Sequence, residues 1–524
     1  MGLLQAWLSS HPSAELGLFL VEGFTHGFHT GFVTLPLQTF ECPNLRSCGG
    51  DMGAVDTLLQ SELDKGFVIG PFTVSPFQSW RVNPLGLVKG KFSNKLRLIY
   101  DLSAPHCSAV PSLNSLIPSE EFSLKYASID QAIQQVIEVG QGAWLSKADI
   151  ADAFKLLPIA PSLWQWHGIK WRELYYFATR LTFGSKSSPW LFDVFAQALE
   201  WILVHEERCH AVIHYLGDFL LIESPQRAPV DLRKLLAVFS ALDVPLATKK
   251  LEGPAWTLTF LGVILDTKAM QARLPADKLA RIRECIHIFS VSRVCTRVEL
   301  LSLLGMLNFA MRIIPQGRSF ISRLLALLPS APDSDSRVVL DAAALADLRM
   351  WDEFLQCWNG IAMFVPGESC SSPQVGTDAA ATVGYAAIFG THWLAGPWPE
   401  EVLAIPGFTE SSALFEIYPI VAAAWVWGGS WAGQTVVFST DNQAAVEIIT
   451  KGRSRSLVIM SLVRRLIWLS LHHKFHFLCK FISGVENGAA DALSRLNFPS
   501  FFLQVPHADA QATPSPQASL LMLD

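Results

Sequence analysis

The chain has 524 residues, of which 50% are hydrophobic and 16% are charged, so it is too long for one core and too apolar for a disordered protein. A formal net charge of −6 argues against a dedicated nucleic-acid binder. It excludes neither a polymerase nor a nuclease, since such enzymes place carboxylates at metal sites and basic residues along a groove. Nine cysteines without a Cys-x-x-Cys pair argue against a disulfide framework and a zinc knuckle.

Two apolar stretches raise the question of a membrane segment. Residues 417–433 are short for a span, with Pro419 inside and Glu416 at the edge. Residues 457–471 are interrupted by two arginines. The N-terminus lacks the basic and apolar segments of a signal peptide. We therefore predict buried helices and an intracellular protein of the cytoplasm or nucleus.

The spacing of apolar residues changes several times along the chain. Residues 1–70 are typical of short helices and turns, and from 71 to 266 short strands alternate with helices. Residues 274–330 place apolar side chains at the i, i+3, i+4 and i+7 spacing of helices, and the polar segment 329–337 is a plausible linker. A new order of strands and helices begins near residue 371. We expect an α/β and α+β multidomain fold.

Residues 142–161 contain a strand that ends at Asp149, followed by a turn and the sequence Asp-Ala-Phe. This arrangement resembles motif A of reverse transcriptases. The resemblance implies that Asp149 ligates both catalytic metals and that Phe154 blocks a ribose 2′-hydroxyl.

Upstream, residues 83–105 resemble the fingers hairpin of the same enzymes. The resemblance implies that Arg97, together with Lys89 or Lys91, holds the incoming triphosphate. Arginine suits this role because its guanidinium binds phosphate through two parallel hydrogen bonds.

Downstream, the sequence RLTFGSKSSPWLFDVFAQAL resembles motif B. There Phe183 and Gly184 would let the backbone approach the template–nucleotide pair, because glycine has no side chain in the way. Residues 259–266 resemble the primer grip. Lys249 or Lys250 would be the basic residue that often precedes it.

Residues 211–224 match motif C incompletely. The family carries Tyr-x-Asp-Asp at the tip of a β-hairpin; Tyr215 and Asp218 match, but Gly217 replaces the first aspartate. That aspartate is normally a metal ligand, and glycine offers none. Because Gly-Asp is a good hairpin turn, folding would survive the change. We expect polymerase activity to fall by orders of magnitude unless Asp218 shifts into the vacant role.

Four carboxylates occupy special places after residue 371. Asp378 and Asp441 each end a strand, Glu416 lies on an apolar helix, and Asp491 opens the last helix. Singly, each aspartate can be a turn former or helix cap, whereas a buried unpaired Glu416 would be costly. Together, hard oxygen ligands at one sheet edge suit Mg²⁺ or Mn²⁺. Two such ions activate a water and stabilise the leaving oxygen of a phosphodiester.

The segments TDAA, FEIYPIV, STDNQAAV and NGAADALSR carry a further resemblance, to the ribonuclease H domain of long-terminal-repeat and related retroelements. It covers about 371–497 and implies that the four carboxylates hold two metals. Related domains often have a histidine in the loop before the last aspartate; here that loop has none, which should lower turnover without abolishing chemistry. His472, His473 and His476 are interpreted as surface or strand residues. Basic residues form either a solvated face or a contact to the hybrid backbone: Lys451, Arg453, Arg455, Arg464 and Arg465.

Taken together, residues 1–500 most resemble the polymerase region of DIRS-type retrotransposons, with gypsy-like elements as neighbours. We expect a right-hand polymerase followed by a ribonuclease H-like domain with a mixed sheet flanked by helices. DIRS-type elements usually add a tyrosine recombinase, which does not follow here, so we expect an excised, truncated or decaying element product. The predicted segments are an N-terminal lead-in (1–70), fingers and palm (71–266), thumb-like helices (267–330), a connection (331–370), ribonuclease H (371–497) and a flexible tail (498–524).

Two functional hypotheses from different classes follow. The leading one is an enzyme that cuts the RNA strand of RNA–DNA hybrids, while the polymerase-like half grips primer–template and uses dNTPs only if it is active. The other is a non-catalytic nucleic-acid-binding remnant of a retroelement, favoured by Gly217 and the missing loop histidine. A third, an integral membrane protein, rests on hydropathy alone.

Overall fold

The structure, a computed structural model, describes residues 2–35, 38–90, 96–106, 109–357, 361–364, 372–406 and 411–522. The chain divides into two compact units. Unit 1 comprises Met1–Leu261 and Thr267–Ala269, and unit 2 comprises Gly262–Asp266 and Met270–Asp524. Strands and helices alternate in both units, as the sequence predicted.

Unit 1 contains six α-helices and twelve strands within the described residues. The helices are α1 (Gly2–Trp7), α2 (Ala14–His26), α3 (Met52–Asp64), α4 (Ile129–Val139), α5 (Ser188–Trp201) and α6 (Asp231–Ala241). The strands are β1 (Phe40–Glu41), β2 (Val68–Phe72), β3 (Arg81–Val82), β4 (Leu85–Lys89), β5 (Leu96–Tyr100), β6 (Trp144–Asp149), β7 (Gly168–Trp171), β8 (Leu174–Ala178), β9 (Ala211–Tyr215), β10 (Asp218–Glu223), β11 (Glu252–Ala255) and β12 (Thr257–Phe260).

Unit 1 is built on a five-stranded sheet in the order β1-β3-β7-β8-β2, a four-stranded sheet in the order β11-β6-β10-β9, and the hairpin β4-β5. One apolar cluster joins these sheets to the helices; it includes Leu20, Val55, Ala148, Phe192 and Phe219. Because α2 and α3 contribute to this cluster, the first 70 residues are part of the core and not only a lead-in to it.

Unit 2 contains ten strands and ten α-helices within the described residues. The strands are β13 (Val263–Asp266), β14 (Gln271–Arg273), β15 (Val294–Thr296), β16 (Arg337–Val339), β17 (Ile361–Met363), β18 (Gln374–Ala380), β19 (Gly384–Phe389), β20 (His392–Pro397), β21 (Thr435–Thr440) and β22 (His476–Phe481). The helices are α7 (Ala276–Ser292), α8 (Arg297–Ala310), α9 (Ser322–Ala326), α10 (Ala342–Cys357), α11 (Glu400–Leu403), α12 (Ser412–Trp427), α13 (Gln443–Lys451), α14 (Leu457–His473), α15 (Gly488–Ser494) and α16 (Phe498–Gln504).

A mixed five-stranded sheet, in the order β20-β19-β18-β21-β22, dominates the C-terminal part of unit 2. β18 and β19 are antiparallel, as are β19 and β20, whereas β18, β21 and β22 run parallel. Three consecutive apolar residues of β21, Val436 to Phe438, are fully buried. Such a run is typical of a central parallel strand that is covered on both faces.

Helix α12 is the apolar stretch that raised the question of a membrane segment. Almost all of its residues are buried, from Ala413 to Ala424 without a break. A helix that is apolar on every side belongs in the interior of a large protein or in a bilayer. No helix among the described residues is long and apolar enough to cross a membrane. The prediction of a buried helix is therefore confirmed for α12.

A buried ion pair ties α14 to α10 in unit 2. The guanidinium of Arg464 lies 3.2 Å from Asp347 Oδ1, and the two side chains are 3% and 1% exposed. Arg323 approaches the same carboxylate oxygen at 3.4 Å. Because α14 also packs on α12, and α12 packs on β18 and β19, helix α10 and the C-terminal sheet share one interior.

Residues 498–522 differ from the predicted flexible tail. They begin with α16, whose Phe501 is fully buried. The indole Nε1 of Trp393, on β20, donates to the carbonyl of Asp509 at 2.7 Å. Near the end of the chain Leu521 is buried as well. The content of proline, alanine and glutamine suggested disorder, but the phenylalanines in FPSFFLQV bury enough apolar surface to hold this segment against the sheet.

Candidate functional site

Three carboxylates converge at one edge of the mixed sheet in unit 2. Asp378 lies on β18, Glu416 on α12, and Asp441 directly after β21. β18 and β21 are parallel neighbours with Gly376 opposite Ser439, so Asp378 and Asp441 stand at the same level. One oxygen of each carboxylate lies within 4.8 Å of the others. The structure therefore brings together three of the four carboxylates predicted for this site.

Burial makes this cluster electrostatically unfavourable. Asp378 and Glu416 are 4% and 6% exposed, whereas Asp441 is exposed. Burial and the nearby charge of Asp378 raise the pKa of Glu416 to about 8. Burial, together with the charges of Asp441 and Asp491, raises the pKa of Asp378 to about 6. Like charges held together away from water favour either a bound proton or a bound cation.

Uncharged donors hold the two buried carboxylates. Ser494 Oγ donates to Asp378 Oδ2 at 2.5 Å, and Asn487 Nδ2 donates to Asp378 Oδ1 at 3.1 Å. Thr440 Oγ1 donates to Glu416 Oε2 at 2.9 Å. These three bonds fix the orientation of the carboxylates but leave their negative charge in place.

Asp491, the fourth predicted ligand, lies beside the cluster and not within it. Its side chain, in the first turn of α15, is 43% exposed, and its Oδ1 accepts from Arg495 Nε at 2.8 Å. The charge of Asp491 nevertheless contributes to the raised pKa of Asp378. Three of the four predicted carboxylates therefore converge in the structure, Asp491 is paired with Arg495 four residues along the chain, and its role as a fourth ligand stays a prediction.

The donor set fits a hard divalent cation. All three groups offer carboxylate oxygen, without sulfur or imidazole nitrogen. Mg²⁺ and Mn²⁺ prefer such ligands. A divalent cation would also compensate the charge that raises the pKa of Glu416 and Asp378. Asp378, Glu416 and Asp441 are thus the residues that can hold a metal in unit 2.

Two aspartates also face each other in unit 1. Asp149 and Asp218 are register partners at the ends of β6 and β10. Burial, together with the hydrogen bond and charge of Asp149, raises the pKa of Asp218 to about 6. Lys250 Nζ donates to Asp149 Oδ2 at 2.5 Å. Tyr215, at the end of β9, packs its ring 5.0 Å from that of Tyr126.

Gly217 lies in the two-residue turn that joins β9 to β10. The turn consists of Leu216 and Gly217, not of Gly217 and Asp218 as the sequence suggested. Leu216 takes the left-handed conformation, with φ 51°, and Gly217 does not. A Cβ at position 217 would meet Ala153 Cβ at 3.4 Å and Ile150 Cβ at 3.5 Å, which are ordinary contacts. The backbone therefore does not require glycine here, and a side chain fits.

Phe154 and Phe183 pack against each other, with their ring centroids 4.9 Å apart. The next residue, Gly184, has a φ of 108°, and a Cβ there would lie 2.0 Å from the carbonyl oxygen of Tyr100. Glycine is thus required at this position by the neighbouring backbone of β5. The predicted approach of a template–nucleotide pair is not needed to explain it.

The pairing of β4 with β5 separates two residues that were expected to act together. Val88 lies opposite Arg97, and Lys89 lies opposite Leu96. Directly opposite residues share a face, and successive residues alternate between faces. Lys89 and Arg97 therefore lie on opposite faces of the hairpin, which corrects the prediction that both hold one triphosphate. Lys91, the alternative, lies outside the described residues.

Sequence reasoning missed the residues that support the carboxylates. Asn487 and Ser494 bracket Asp491, four residues before it and three after it, so all three share one side of a short helix. Arg495 stands four residues after Asp491, the spacing of a helical ion pair. These spacings were visible in ENGAADALSR. The sequence indicated less clearly that Thr440 bonds to Glu416, since a threonine before an aspartate is common at the end of a strand.

Comparison with known families gives one match. Residues 79–265 match the model described as reverse transcriptase (RNA-dependent DNA polymerase). These residues are therefore similar to a reverse transcriptase domain. The matched segment contains the hairpin β4-β5 and both aspartates of the four-stranded sheet, and it confirms the predicted class of a mixed α/β multidomain fold. No curated protein matches the chain.

Many solved structures align with this chain, and three of foamy viral protease-reverse transcriptase serve as examples. The dRH form in complex with double-stranded DNA is 16% identical, with a TM-score of 0.49, and covers 86% of this chain and 73% of that one. The complex with an RNA/DNA hybrid is 14% identical, with a TM-score of 0.48, and covers 91% and 62%. The complex with double-stranded DNA is 15% identical, with a TM-score of 0.47, and covers 91% and 96%. These identities are too low to assign residues by alignment.

Proposed function

We propose that this protein cleaves the RNA strand of RNA–DNA hybrids at the carboxylate cluster of unit 2. The observation that carries the proposal is the convergence of Asp378, Glu416 and Asp441 within 4.8 Å. Two of these groups are buried and have raised pKa values, which sets them apart from the acidic groups scattered over a protein surface. Their elements follow the strand and helix order of the ribonuclease H domains that the sequence resembles.

The residues of this site have distinct tasks in the proposed reaction. Two divalent cations, Mg²⁺ or Mn²⁺, would supply the activated water and stabilise the leaving oxygen. Asp378 presents its carboxylate in one orientation, because Ser494 and Asn487 each hold one of its oxygens. Glu416 must first lose the proton that its pKa of about 8 retains at neutral pH. Asp441 is exposed, so the scissile phosphate can approach from its side.

We further propose that the polymerase activity of unit 1 is impaired. Asp149 and Asp218 are adjacent, but position 217, in the turn directly before Asp218, offers no carboxylate. Lys250 already binds one oxygen of Asp149. With fewer anionic ligands, this site should bind its metals weakly. The residues proposed to contact dNTP or primer–template are Arg97, Phe154, Phe183, Gly184 and Tyr215.

The wider assignment follows from the sequence resemblance. We assign the chain to a DIRS-type retroelement, with fingers and palm at 71–266, thumb-like helices at 267–330, a connection at 331–370 and ribonuclease H at 371–497. RNA–DNA hybrid and primer–template are the proposed partners. The reverse transcriptase-like match supports the assignment for its own residues, and the carboxylate geometry supports it for the last segment.

A hybrid-cleavage assay tests the main proposal. The full chain, incubated with a labelled RNA–DNA hybrid and Mg²⁺ or Mn²⁺, should cut only the RNA strand. Asp378→Asn should lower the rate by about 10³-fold or more, because a lost metal ligand removes several kcal/mol of transition-state stabilisation. Asp277→Asn, an exposed aspartate on α7, is the matched control and should cut normally. If the folded parent chain cuts nothing, the protein is instead a nucleic-acid-binding remnant.

A further inference from the structure

The positively charged side chain of Arg495 lies beside the carboxylate cluster of unit 2. Arg495 follows α15, and its Nε lies 2.8 Å from Asp491 Oδ1. The hydrogen bond and charge of Asp491, and more weakly the charge of Asp378, raise the pKa of Arg495. Burial raises the pKa of Asp378, and Arg495 opposes that rise. Arg495 is thus electrostatically part of the site, although the proposed reaction has so far given it no task.

The partner of Arg495 is the carboxylate that stands next to the three converging ones. A divalent cation at the cluster would attract Asp491 as well, and would compete with the guanidinium for its oxygens. The ion pair can yield easily, since both side chains are largely solvent-accessible, at 60% for Arg495 and 43% for Asp491. Exposed pairs at this helical spacing are weak. Release of Arg495 from Asp491 therefore costs little.

The backbone beside Arg495 is fixed on the cluster itself. Ser494 Oγ lies 2.5 Å from Asp378 Oδ2 and 3.0 Å from the carbonyl oxygen of Asp491. The backbone that carries Arg495 therefore stays beside the carboxylates, and a guanidinium released from Asp491 would remain within a side chain's length of them. The group that arrives there in the reaction is a phosphodiester, and a guanidinium matches its two non-bridging oxygens with two parallel N–H donors.

We propose that Arg495 changes partner in the course of the reaction: it holds Asp491 in the metal-free enzyme and binds the substrate phosphate once metal has taken Asp491. The inference rests on the proposed ribonuclease activity and adds a substrate-binding residue to it. Under this proposal Arg495 has two opposite effects: it weakens metal binding by competing for Asp491, and it strengthens binding of the substrate phosphate. A merely structural role for Arg495 would not produce effects of opposite sign.

The test compares Arg495→Gln and Arg495→Lys with the parent chain. The control is Arg281→Gln, which removes another exposed arginine that is paired four residues along a helix, with Asp277. Isothermal titration with Mn²⁺ and no nucleic acid measures the competition, and steady-state hybrid cleavage measures the phosphate contact. Arg495→Gln should bind Mn²⁺ about twofold more tightly, given the weakness of exposed pairs. Its kcat/KM should fall about tenfold, mainly through KM, as expected for a lost charge-assisted contact.

Arg495→Lys and Arg281→Gln show whether the effects of Arg495→Gln are specific to the guanidinium at this site. Arg495→Lys should recover part of the kcat/KM because it keeps the charge but loses the bidentate geometry. Arg281→Gln should change neither quantity. Weaker Mn²⁺ binding by Arg495→Gln, or cleavage equal to that of the parent, would overturn the exchange of partners while leaving the ribonuclease proposal intact. A folded parent chain that cuts no hybrid would contradict both, since the inference depends on that activity.

Discussion

Each half of this chain carries carboxylates at strand ends, and the two sets differ in how the fold supports them. In unit 2, three carboxylates come from a strand, a buried helix and the end of a second strand. Asn487 and Ser494 donate to Asp378, and Thr440 donates to Glu416. In unit 1, Asp149 and Asp218 stand on neighbouring strands, and the missing third group belonged to a two-residue turn.

This difference indicates which ligand positions can change without loss of the fold. Gly217 lies in a turn where a Cβ would meet only ordinary contacts, so either glycine or a side chain is compatible with the backbone. Glu416 is buried on α12 and bonded to Thr440, within the packing of the sheet. A ligand in a hairpin turn can therefore be replaced without a change in core packing, whereas replacement of a ligand in the core alters contacts within the sheet and helix.

Among the changes that test this contrast between the two units, the largest effect should come from restoring the carboxylate in the turn of unit 1. Gly217→Asp adds the missing carboxylate beside Asp218, and the space found around position 217 accommodates it. We expect primer extension with Mg²⁺ to rise by about a hundredfold or more, because a recovered metal ligand contributes several kcal/mol to the transition state. Gly217→Asn, similar in size but uncharged, is the control and should gain little. Equal extension by the parent chain and Gly217→Asp would contradict the contrast between the two sites.

The next effect concerns the stability of the framework around the unit 2 site. Asp347→Ala leaves the buried Arg464 without its carboxylate partner. Loss of one partner of a buried pair should lower the free energy of unfolding by about 3–5 kcal/mol, measured by urea denaturation. Asp352→Ala, on the same helix, removes an exposed pair with Arg283 and should cost less than about 1 kcal/mol. Similar losses in the two variants would show that Asp347 has no special role.

Much of this architecture was predictable from the sequence because the patterns that reveal it are local. The apolar run that became α12 and the aspartates that end β18 and β21 depend on neighbours a few residues away. Glu416 was identified because an unpaired carboxylate buried in an apolar helix is energetically costly. These local patterns were sufficient to identify the three residues that converge at the site.

The predictions that failed depend on contacts between distant residues or on exact register. Lys89 was assigned with Arg97, as an alternative to Lys91, from the resemblance to a fingers hairpin, but a register difference of one residue exchanges the faces of a hairpin. The ion pair of Asp491 with Arg495, four residues on, was likewise not foreseen. The requirement for Gly184 arises from the carbonyl of Tyr100, which the sequence places more than 80 residues away.

A smaller effect is expected from pH. Glu416 has a folded-state pKa of about 8 and an ordinary value of 4.5, so the folded protein binds a proton that the unfolded chain has lost between these limits. Without metal, the free energy of unfolding should therefore decrease as pH rises from 5 to 8. Thermal melts in EDTA should show this decrease in the parent chain and a weaker one in Glu416→Gln.

The same group should make metal binding depend on pH. Since Glu416 must lose its proton to bind a cation, Mn²⁺ affinity should rise by up to about tenfold per pH unit and level off near pH 8. In unit 1 the raised pKa of Asp218 is about 6, so any corresponding rise there should end about two units lower. Titrations of Asp149→Asn and Asp378→Asn separate the two sites. Identical pH profiles of Mn²⁺ binding in the two variants would contradict the difference in pKa between Glu416 and Asp218.

The smallest effect concerns the loop before Asp491, which lacks the histidine common in related domains. A Cβ on Gly484 would lie 3.4 Å from Asp441 Oδ2, the exposed carboxylate of the cluster. An imidazole at this position would stand where product leaves, and we expect Gly484→His to raise steady-state turnover a few-fold. Single-turnover cleavage should stay unchanged, because product release and not the chemical step is affected. Gly484→Ala adds the Cβ without the ring; if it gives the same gain, the effect lies in the loop backbone and not in the imidazole.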